Sequence, residues 1–359
     1  MIGAAVVGTG FIGAVHVEAL RRLGVEVHGV VGSSHDRAAE RATELGLPPA
    51  YESFDHMLRD PRVQVVHITS PNYLHHAHAA AALHAGKHVV CEKPLGMTSA
   101  ETEDLLHVAE ESGLVHATNF NLRFYPQCQH VHGVIRDGGL GDVRLVTGRY
   151  HQDWLLLEDD WNWRVDPKQG GELRAVADIG SHWMDLTGFL VGKRIVEVMA
   201  DLATFIKKRR GQEVTTDDAA TILLRYEDGT IGAVSVSQVS AGRKNSLVFE
   251  IDGSKSAVAW DSERPDELWF GHRGQPNEVM LRDPALLNEE GRHATWLPAG
   301  HAEGFGETFK ALYAAVYRAV AEGKPGAGYP TFADGHRSML VCEAVAFSSR
   351  ERRWVEVAQ

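Results

Sequence analysis

The sequence feature that most constrains the fold is a glycine motif near the N-terminus. In AAVVGTGFIGAVHVEAL the apolar residues of a strand lead into Gly8-x-Gly10-x-x-Gly13, where a helical pattern begins. In a dinucleotide-binding domain the first glycine permits a tight turn, the second lets the backbone approach a pyrophosphate, and the third lets the helix pack on the strand. The alternative is a glycine-rich turn in an ordinary α/β domain. We predict a cofactor-binding loop made of Gly8, Gly10, Phe11, Ile12 and Gly13.

The first 120 residues repeat one order of elements. Short apolar runs alternate with helical patterns, which we predict over residues 11–23, 36–45, 74–85 and 99–112. Strands separated by helices need crossover connections, which produce a parallel sheet with helices on both faces. The chain is therefore predicted to begin with a dinucleotide-binding Rossmann domain, an α/β fold with a doubly wound parallel sheet, over residues 1–121.

After about residue 122 the pattern changes to strands joined by short turns. The pairs Asp228-Gly229 and Asp252-Gly253 lie between apolar runs and predict β-hairpins. We therefore predict a C-terminal α+β domain with a large, mainly antiparallel sheet over residues 122–359, for substrate binding and oligomerisation. Its strands ATILLRYEDG and GAVSVSQVS carry apolar residues on both faces. We expect a homodimer or homotetramer whose contacts cover the outer face of this sheet.

Composition limits the class of partner. The chain has 36 basic and 48 acidic residues, and its net charge of −12 disfavours nucleic acid and anionic lipid. The basic run KKRR at 207–210 is predicted to be a solvated loop tip, with nucleic-acid binding as the less favoured alternative. No apolar stretch reaches the roughly 18 residues of a membrane span, and no basic signal region opens the sequence. We expect a soluble cytoplasmic protein that binds neither nucleic acid nor membranes.

The histidines and cysteines do not make a complete metal site. Five histidines lie in SPNYLHHAHAAAALHAGKHVVCEKP, namely His75, His76, His78, His84 and His88. No acidic or cysteine residue pairs with them to complete a tetrahedral zinc site. The cysteines are widely spaced without a CxxC pair, which disfavours both a disulfide framework and structural zinc; they are Cys91, Cys128 and Cys342. We predict reduced thiols and no metal.

The end of the second strand should select the nucleotide. An acidic residue about 20 residues beyond the glycines would bind the adenosine ribose hydroxyls, but VVGSSHDRAAER has Ser33 and Ser34 there. The serines and Arg37 could accommodate the 2′-phosphate of NADP, whereas the neighbouring Asp36 argues against it. The cofactor is therefore NAD or NADP, and the residues leave that choice open.

Two further segments carry candidate catalytic residues. Lys93 of CEKP precedes a proline at the carboxyl end of a predicted strand, where parallel sheets bind ligands. In DIGSHWMDL the residues Asp178, His182 and Asp185 are spaced i, i+4 and i+7, which predicts one shared face of an α-helix. Taken alone, an Asp-x-x-x-His pair is more simply a surface pair or a buried histidine with a satisfied hydrogen bond.

Together these motifs resemble the Gfo/Idh/MocA oxidoreductases, a family named for glucose–fructose oxidoreductase and inositol dehydrogenase. The resemblance covers nearly the whole chain, through the glycine motif, AGKHVVCEKP, NFNLRFYP, WRVDPKQGGELRAVADIGSHWMD and YPTFADGHR. It implies an NAD(P)-dependent oxidoreductase whose catalytic residues are Lys93, Asp178 and His182. It also implies a nicotinamide site that includes Ser70, Pro71, Asn72, His75, Glu92, Lys93 and Asn121. Where many members read GGG before the catalytic helix, this chain reads GGELRAVAD, which predicts a bulkier and more polar approach.

The three catalytic candidates suit the oxidation of an alcohol. Removing hydride from a secondary alcohol requires a base of near-neutral pKa and a cation that stabilises the developing alkoxide. His182 can act as the base, Asp178 can hold its tautomer and stabilise the imidazolium, and Lys93 can supply the cation. We expect Asp185 to support or pack the helix instead.

The segment HQDWLLLEDDWNWRVDPKQGG mixes aromatic and polar residues just before the catalytic helix. Indole faces cover the C–H surface of a pyranose while amide and charged groups bind its hydroxyls. The segment predicts a sugar-like substrate, or one with an anionic substituent bound by Arg164 and Lys168. At least one of its tryptophans is expected to be a core or interface residue. The predicted substrate contacts are Gln152, Trp154, Trp163, Arg164, Lys168, Asp178, His182 and His301.

Three functions compete. The leading hypothesis is an NAD(P)-dependent dehydrogenase acting on a secondary ring hydroxyl of a sugar, glycoside or cyclitol. The second is an NAD-dependent glycosidase that oxidises the sugar transiently, eliminates the aglycone and returns the hydride. The third is a non-catalytic nucleotide or sugar sensor, which is least favoured because such a protein need not retain Lys93 and His182.

Overall fold

The computed structural model describes residues 2–326 and 328–359. Its internal contacts divide the chain into two compact units. The first comprises Met1–Asn121 with Gly306–Met339, and the second comprises Leu122–Phe305 with Leu340–Gln359. The sequence pattern predicted a single C-terminal domain over 122–359, and the placement of 306–339 departs from it.

The reason for this departure lies in a helix near the C-terminus. Phe309 and Tyr313 of that helix pack against the ring of His16, with ring centroids 5.6 and 5.1 Å apart. A stripe of apolar residues shows that a helix is buried on one side, but it does not show which sheet the helix covers. Long-range packing therefore decides the membership of this segment.

The N-terminal unit begins with alternating strands and helices. In chain order these are β1 Gly3–Val7, α1 Phe11–Arg22, β2 Glu26–Val31, α2 His35–Glu44, α3 Phe54–Leu58, β3 Val65–Ile68, α4 His75–His84, β4 His88–Cys91, α5 Ser99–Ser112 and β5 His116–Thr118. The five strands form a parallel sheet in the order β2-β1-β3-β4-β5. The residues of β1 and β3 are all buried, as expected of a parallel sheet covered on both faces. The predicted Rossmann sheet is confirmed.

The remaining chain is mostly strands. Its elements are α6 Pro126–Arg136, β6 Val143–His151, α7 Pro167–Gly170, α8 Ser181–Val191, β7 Ile195–Ala203, β8 Lys208–Arg209, β9 Gln212–Glu213, β10 Ala219–Tyr226, β11 Ile231–Ser237, β12 Ser246–Gly253, β13 Ala257–Asp261, β14 Glu267–Gly271, β15 Glu278–Leu281, α9 Glu289–Ala294, α10 Phe305–Glu322, α11 Phe332–Glu351 and β16 Val355–Glu356. Short 3₁₀ helices occupy Asn72–Leu74, Asn121–Phe124 and Trp163–Val165, and a π-helix occupies Val176–Gly180.

Nine strands form the large sheet of the second unit, in the order β15-β14-β13-β12-β6-β11-β10-β7-β16. The pairing is antiparallel except between β6 and β11, which confirms a mainly antiparallel sheet. Alternate residues point to opposite faces. On the inner face, Trp183 of α8 is fully buried and its Nε1 donates to the carbonyl of Val248 at 2.9 Å. The outer face carries the exposed side chains of Met199, Leu223 and Ile231.

The two predicted hairpins differ in where they turn. β10 and β11 pair around Asp228-Gly229, and Gly229 has φ +91, as an Asp-Gly turn requires. β12 instead runs through Gly253, and the turn is closed by the Gly253 N–H donating to the carbonyl of Ser256 at 2.9 Å. A Cβ on Gly253 would lie 2.8 Å from the Cβ of Leu140. This glycine is therefore needed for close packing rather than for a positive φ.

The KKRR run reaches the turn of the β8–β9 hairpin, and its residues are exposed as predicted except for Arg209. Lys208 is exposed, but Arg209 is fully buried within the second unit. The Arg209 guanidinium donates to the carbonyl of Leu155 at 2.7 Å and pairs with Asp218 at 3.0 Å. A run of charged residues predicts exposure for the run as a whole. It does not reveal that one of its arginines, Arg209, binds buried carbonyls and a buried carboxylate.

The described residues also show whether a helix could span a membrane and whether the cysteines are paired. Between residues 2 and 359, leaving Ala327 aside, no helix is long and apolar enough to cross a membrane. Cys91, Cys128 and Cys342 are free and buried. Burial raises the pKa of each thiol above its ordinary value, so these side chains are thiols rather than reactive thiolates.

Replacing Arg209 tests the correction to KKRR. Arg209→Met leaves the buried Asp218 carboxylate with one fewer cation, so it should lower the free energy of unfolding by about 3 kcal/mol. Lys208→Met removes an exposed ion pair with Glu213 and should change it by less than about 1 kcal/mol. Urea unfolding measures both, and equal small effects would contradict the structural role of Arg209.

Candidate active site and cofactor site

The glycine loop is shaped by close backbone contacts. Gly8 has φ +122, and a Cβ there would lie 2.6 Å from the carbonyl oxygen of Thr69. A Cβ on Gly13 would collide with the carbonyl oxygen of Gly8. A Cβ on Gly10 would meet open space, and Gly10 precedes the first turn of α1 without a side-chain cap. Tight packing at two glycines and open backbone at the third fit a dinucleotide pyrophosphate.

The residues beside this loop differ in exposure. Phe11, the first residue of α1, is 72% exposed, whereas Ile12 is half-buried. Arg41 reaches from α2 to the carbonyl of Gly10, with its Nη2 3.5 Å from that oxygen. The helix α2 therefore contacts the glycine loop through a cation that sequence reasoning did not single out.

The segment after β2, which is expected to select the nucleotide, contains the N-cap of α2. Ser34 precedes α2, and its hydroxyl accepts the N–H of Arg37 at 3.4 Å. Ser33 and Arg37 are exposed. Ser34 therefore caps the helix. The exposed Ser33 and Arg37 remain candidates for contact with the ribose.

The ends of β3 and β4 are tied together by a buried histidine. His75 Nε2 lies 2.8 Å from the carbonyl of Ser70, and its Nδ1 lies 2.7 Å from the carbonyl of Pro94. The Ser70 hydroxyl lies 3.2 Å from His78 Nδ1. These contacts fix the chain on both sides of the predicted nicotinamide site, where Asn72 is also buried and Pro71 is half-buried.

Glu92 collects hydrogen-bond donors at the end of β4. Its Oε1 accepts from His16 Nε2 at 3.0 Å and from Asn119 Nδ2 at 2.6 Å, and its Oε2 accepts the Lys93 N–H at 3.2 Å. The carboxylate therefore fixes the backbone of the lysine. Asn121 donates its side-chain amide to the Thr308 hydroxyl at 2.7 Å.

The histidine-rich segment does not converge on one point. His76 pairs with Asp104 at 2.7 Å, and His88 Nδ1 accepts the N–H of Val115 at 2.9 Å. His78 is bonded to Ser70, and burial lowers its pKa to about 4. In the described part of the chain no group of three or more His, Cys, Asp or Glu residues could hold a metal ion.

The segment before α8 is not the continuous α-helix that the spacing of Asp178 and His182 predicted. A π-helix over Val176–Gly180 precedes α8, so Asp178 lies in a wider turn. A side chain explains why the chain holds this shape: Asp217 accepts the N–H of Arg174 at 2.5 Å and that of Val176 at 2.9 Å. π-Turns occur frequently at functional sites.

The unusual GGELRAVAD segment has a structural explanation. Arg174 is 1% exposed, and its guanidinium forms an ion pair with Asp218, which also pairs with Arg209. The Arg174 side chain, predicted to make the approach to the site bulkier, is therefore buried in an ion-pair cluster. Leu173 is buried as well.

Asp178 is held by two side chains of the second unit. Its Oδ1 accepts from Arg164 Nε at 3.1 Å, and its Oδ2 accepts from Gln238 Nε2 at 2.7 Å. Arg164 also lies over the ring of Trp163, with its guanidinium carbon 4.3 Å from the centroid. The structure thus brings three predicted site residues together and adds Gln238, which lies beyond a hairpin and carried no local signal.

A polar chain ends beside the candidate base. His182 is 8% exposed, and its ring centroid lies 6.4 Å from that of Tyr150. Asn245 Oδ1 accepts from the Tyr150 hydroxyl at 2.8 Å and from Gln152 Nε2 at 2.7 Å. Burial raises the pKa of Tyr150, so the phenol stays protonated and donates.

The Trp154 Nε1 donates to Gln152 Oε1 at 2.7 Å, so two predicted substrate residues belong to this polar chain. Sequence reasoning missed Tyr150 and Asn245. Tyr150 had a weak signal, since it stands two residues before Gln152 on a strand. Asn245 had none.

The other predicted contacts have different surroundings. Trp161 packs against the buried Leu155, Val165 and Val214, which makes it the core tryptophan of its segment. Lys168 is exposed, and its N–H donates to Asp166 at 3.0 Å. His301 is exposed and lies in a loop. Its backbone carbonyl accepts a hydrogen bond from the Arg282 guanidinium, which anchors the loop. Roles for Lys168 and His301 at the substrate stay predictions.

Asp185 has a packing role. Its carboxylate accepts from Arg123 Nε at 2.8 Å in a largely buried ion pair. The same guanidinium lies 5.1 Å from the ring centroid of Phe189. The pair ties α8 to the chain just before α6.

Comparison with known proteins agrees with this geometry. The family described as "Oxidoreductase family, NAD-binding Rossmann fold" matches residues 2–120, and "GFO/IDH/MocA C-terminal domain" matches residues 128–259. The chain belongs to the GFO/IDH/MocA oxidoreductases. The family predicted from the motifs is confirmed, together with its NAD-binding Rossmann domain.

Three similar proteins illustrate the family. Levoglucosan dehydrogenase of Pseudarthrobacter phenanthrenivorans is 30% identical, across 98% of this chain and 97% of its own. A structure of levoglucosan dehydrogenase in complex with NADH and levoglucosan has a TM-score of 0.94 at 29% identity, covering 100% of this chain and 99% of that one. An inositol dehydrogenase homolog from Azotobacter vinelandii with NADH and myo-inositol has a TM-score of 0.89 at 29% identity, covering 99% and 97%.

Two alanine substitutions separate cofactor contact from packing in this oxidoreductase. Gly10→Ala puts a methyl group into the open space above α1 and should weaken NADH binding at least about tenfold, or ~1.4 kcal/mol, without lowering stability. Gly13→Ala forces the methyl group into the Gly8 carbonyl and should cost about 1–3 kcal/mol of stability. NADH fluorescence titration and thermal unfolding measure both. Parental NADH affinity in Gly10→Ala would show that the pyrophosphate lies elsewhere.

Proposed function

We propose that this oxidoreductase is an NAD-dependent dehydrogenase acting on a secondary ring hydroxyl of a sugar or cyclitol. The observation that carries the proposal is the Asp178–His182 segment, whose carboxylate is oriented by Arg164 and Gln238. A buried imidazole one turn away suits a general base. The names of similar proteins support the substrate class, since levoglucosan dehydrogenase acts on a sugar anhydride and the inositol dehydrogenase homolog was solved with a cyclitol.

The catalytic roles follow from the chemistry of each group. His182 takes the hydroxyl proton, and the negative charge of Asp178 stabilises the imidazolium that results. Lys93 supplies a cation for the developing alkoxide, with its backbone fixed by Glu92. NAD, when bound, accepts the hydride from the carbinol carbon. We assign its pyrophosphate to Gly8, Gly10 and Gly13, and its nicotinamide to the segments that hold Ser70, Asn72, His75, Glu92 and Asn121.

Substrate binding is proposed for the polar and aromatic residues around Asp178. The 37% exposed Trp154 has its indole N–H fixed by Gln152, which leaves a rigid apolar face for the C–H surface of a ring. Trp163 is held by Arg164. Because the Arg164 guanidinium is already bonded to the Asp178 carboxylate, we propose that Lys168 and His301 rather than Arg164 bind any anionic substituent.

We propose NAD rather than NADP as the cofactor. The Ser34 hydroxyl caps α2, and Asp36 places a negative charge in the first turn of that helix, which disfavours a 2′-phosphate. The structures of similar proteins with NADH bound point the same way. A cytoplasmic location is supported by the three free cysteines.

A parallel screen tests this function. The chain is incubated with levoglucosan, myo-inositol and p-nitrophenyl glycosides, with NAD or NADP, while reduced nicotinamide and released aglycone are followed. With a sugar or cyclitol that carries no aglycone, we expect NADH to accumulate. We expect turnover to be slower with NADP than with NAD. Aglycone release without net NADH would instead establish a glycosidase, and no turnover with NADH bound would favour a sensor.

Variants of the catalytic segment test the assigned roles. His182→Ala and Lys93→Met should each lower kcat/KM by about 10²–10⁴-fold, because each removes a group that acts on the transferring proton or the alkoxide. Asp178→Asn should lower kcat while NADH affinity is retained. Asp185→Asn is the matched control: it weakens the Arg123 pair, so it should lower thermal stability with kcat near the parental value. A parental rate in His182→Ala would show that the base is another residue.

We also propose that the outer face of the large sheet is an interface between copies of this chain. Met199 and Leu223 are neighbours across β7 and β10, and Ile231 extends the exposed apolar surface on β11. Contiguous exposed apolar side chains of this kind mark interaction surfaces. A second copy would cover them in a closed dimer or tetramer.

Light scattering tests the assembly. We expect a dimer or tetramer at micromolar concentration, and Leu223→Glu should shift it toward the monomer because a charge would be buried in the interface. Leu286→Glu is the control, since Leu286 is exposed but lies in a loop. A monomeric parent, or equal masses for both variants, would contradict the proposed interface.

A further inference from the structure

A line of buried side chains runs through the N-terminal unit and ends at Glu92. The Tyr317 hydroxyl of α10 lies 3.0 Å from His67 Nε2, and His67 Nδ1 of β3 lies 3.0 Å from His16 Nδ1 of α1. His16 Nε2 lies 3.0 Å from Glu92 Oε1. Both histidines are fully buried, and Tyr317 and Glu92 are 8% and 7% exposed. Catalysis as described above uses only the last member of this line.

The proton positions along the line follow from its tyrosine end. In the described residues His67 is the hydrogen-bond partner of the Tyr317 hydroxyl, so the Tyr317 O–H has an acceptor only if it donates to His67 Nε2. A neutral imidazole then carries its proton on Nδ1, which donates to His16 Nδ1. His16 therefore carries its proton on Nε2, which donates to Glu92.

The carboxylate end gives the same arrangement independently. Asn119 and the Lys93 N–H donate to the Glu92 oxygens, which suits an ionised carboxylate that only accepts. Glu92 therefore requires the proton of His16 on Nε2. Burial holds the pKa of His67 well below its ordinary value, so this imidazole is neutral.

We propose that His67 and Tyr317 are positioning residues that act on Lys93 through His16 and Glu92. Consecutive hydrogen bonds that point in one direction strengthen one another. The line therefore favours the ionised form of Glu92 and fixes the oxygen that accepts the Lys93 N–H. Its effect on turnover rests on the proposed function, whereas its protonation pattern does not.

The chain contains a matched control. Tyr313 lies one helical turn before Tyr317 on α10, and its ring centroid is 5.1 Å from that of His16 and 4.8 Å from that of His67. Its buried hydroxyl has no hydrogen-bond partner within the described residues. Tyr317→Phe removes the first donor of the line, while Tyr313→Phe removes the same atom without removing a bond.

The first measurement is the ¹⁵N spectrum of the imidazoles in the full chain. We expect a proton on Nε2 of His16 and on Nδ1 of His67, with Nδ1 of His16 accepting the His67 proton. A doubly protonated His16, or a proton on Nε2 of His67, would overturn the proposed direction of the line. This result needs no substrate and no variant.

The second measurement compares the two variants by ¹³C titration of the Glu92 carboxyl. The titratable residues that interact with Glu92 or adjoin it in the chain include His16, Tyr313, Cys91 and Lys93, and His67 and Tyr317 follow His16 along the line. Tyr317→Phe should raise the pH at which Glu92 takes up a proton by about one pH unit, and Tyr313→Phe should leave it unchanged. Equal titrations would overturn the proposal, and thermal unfolding checks that both variants fold.

The third measurement is steady-state turnover with the best substrate of the screen. Tyr317→Phe should lower kcat about tenfold with KM for the sugar within about twofold, and Tyr313→Phe should keep parental values. If Tyr317→Phe alters the Glu92 titration but keeps the parental kcat, the proposal that the line acts on Lys93 is overturned. Absence of turnover in the parent would contradict the proposed function, while the titration would still decide whether the line acts on Glu92.

Discussion

The buried carboxylates of Asp217 and Asp218 hold the segment that carries Asp178 in place. Asp217 accepts two backbone N–H groups at the start of the π-turn that carries Asp178, and Asp218 forms ion pairs with both Arg174 and Arg209. Because a buried charge without a partner is costly, this cluster tolerates few other arrangements. The position of Asp178, and hence its bonds to Arg164 and Gln238, depends on it.

The sequence predicted the fold well because the fold depends on local patterns. Alternating apolar runs and helical periods located the parallel sheet, and an Asp-Gly pair located the β10–β11 hairpin. Contacts between distant segments were not predictable in this way. Arg209 was expected to be exposed because its neighbours are charged, and α10 was assigned to the other unit because an apolar stripe does not identify its partner.

The candidate site shows the same limit. Motif residues such as Asp178 and Gly10 were found because spacing and residue type express their chemistry. Gln238 and Asn245, which bind Asp178 and the polar chain beside His182, lie in the loop between β11 and β12 and belong to no motif. The predicted α-helical stacking of Asp178 on His182 was wrong in detail, since side-chain capping by Asp217 accompanies a π-turn that periodicity does not reveal.

We propose that Lys93, Asp178 and His182 act on one substrate hydroxyl. A crystal structure of the chain soaked with NADH and a sugar identified by its turnover tests it most directly. We expect a ring hydroxyl within hydrogen-bonding distance, about 2.6–3.2 Å, of both the Lys93 Nζ and the His182 imidazole, with its carbon facing the nicotinamide. A substrate bound away from either side chain would contradict it.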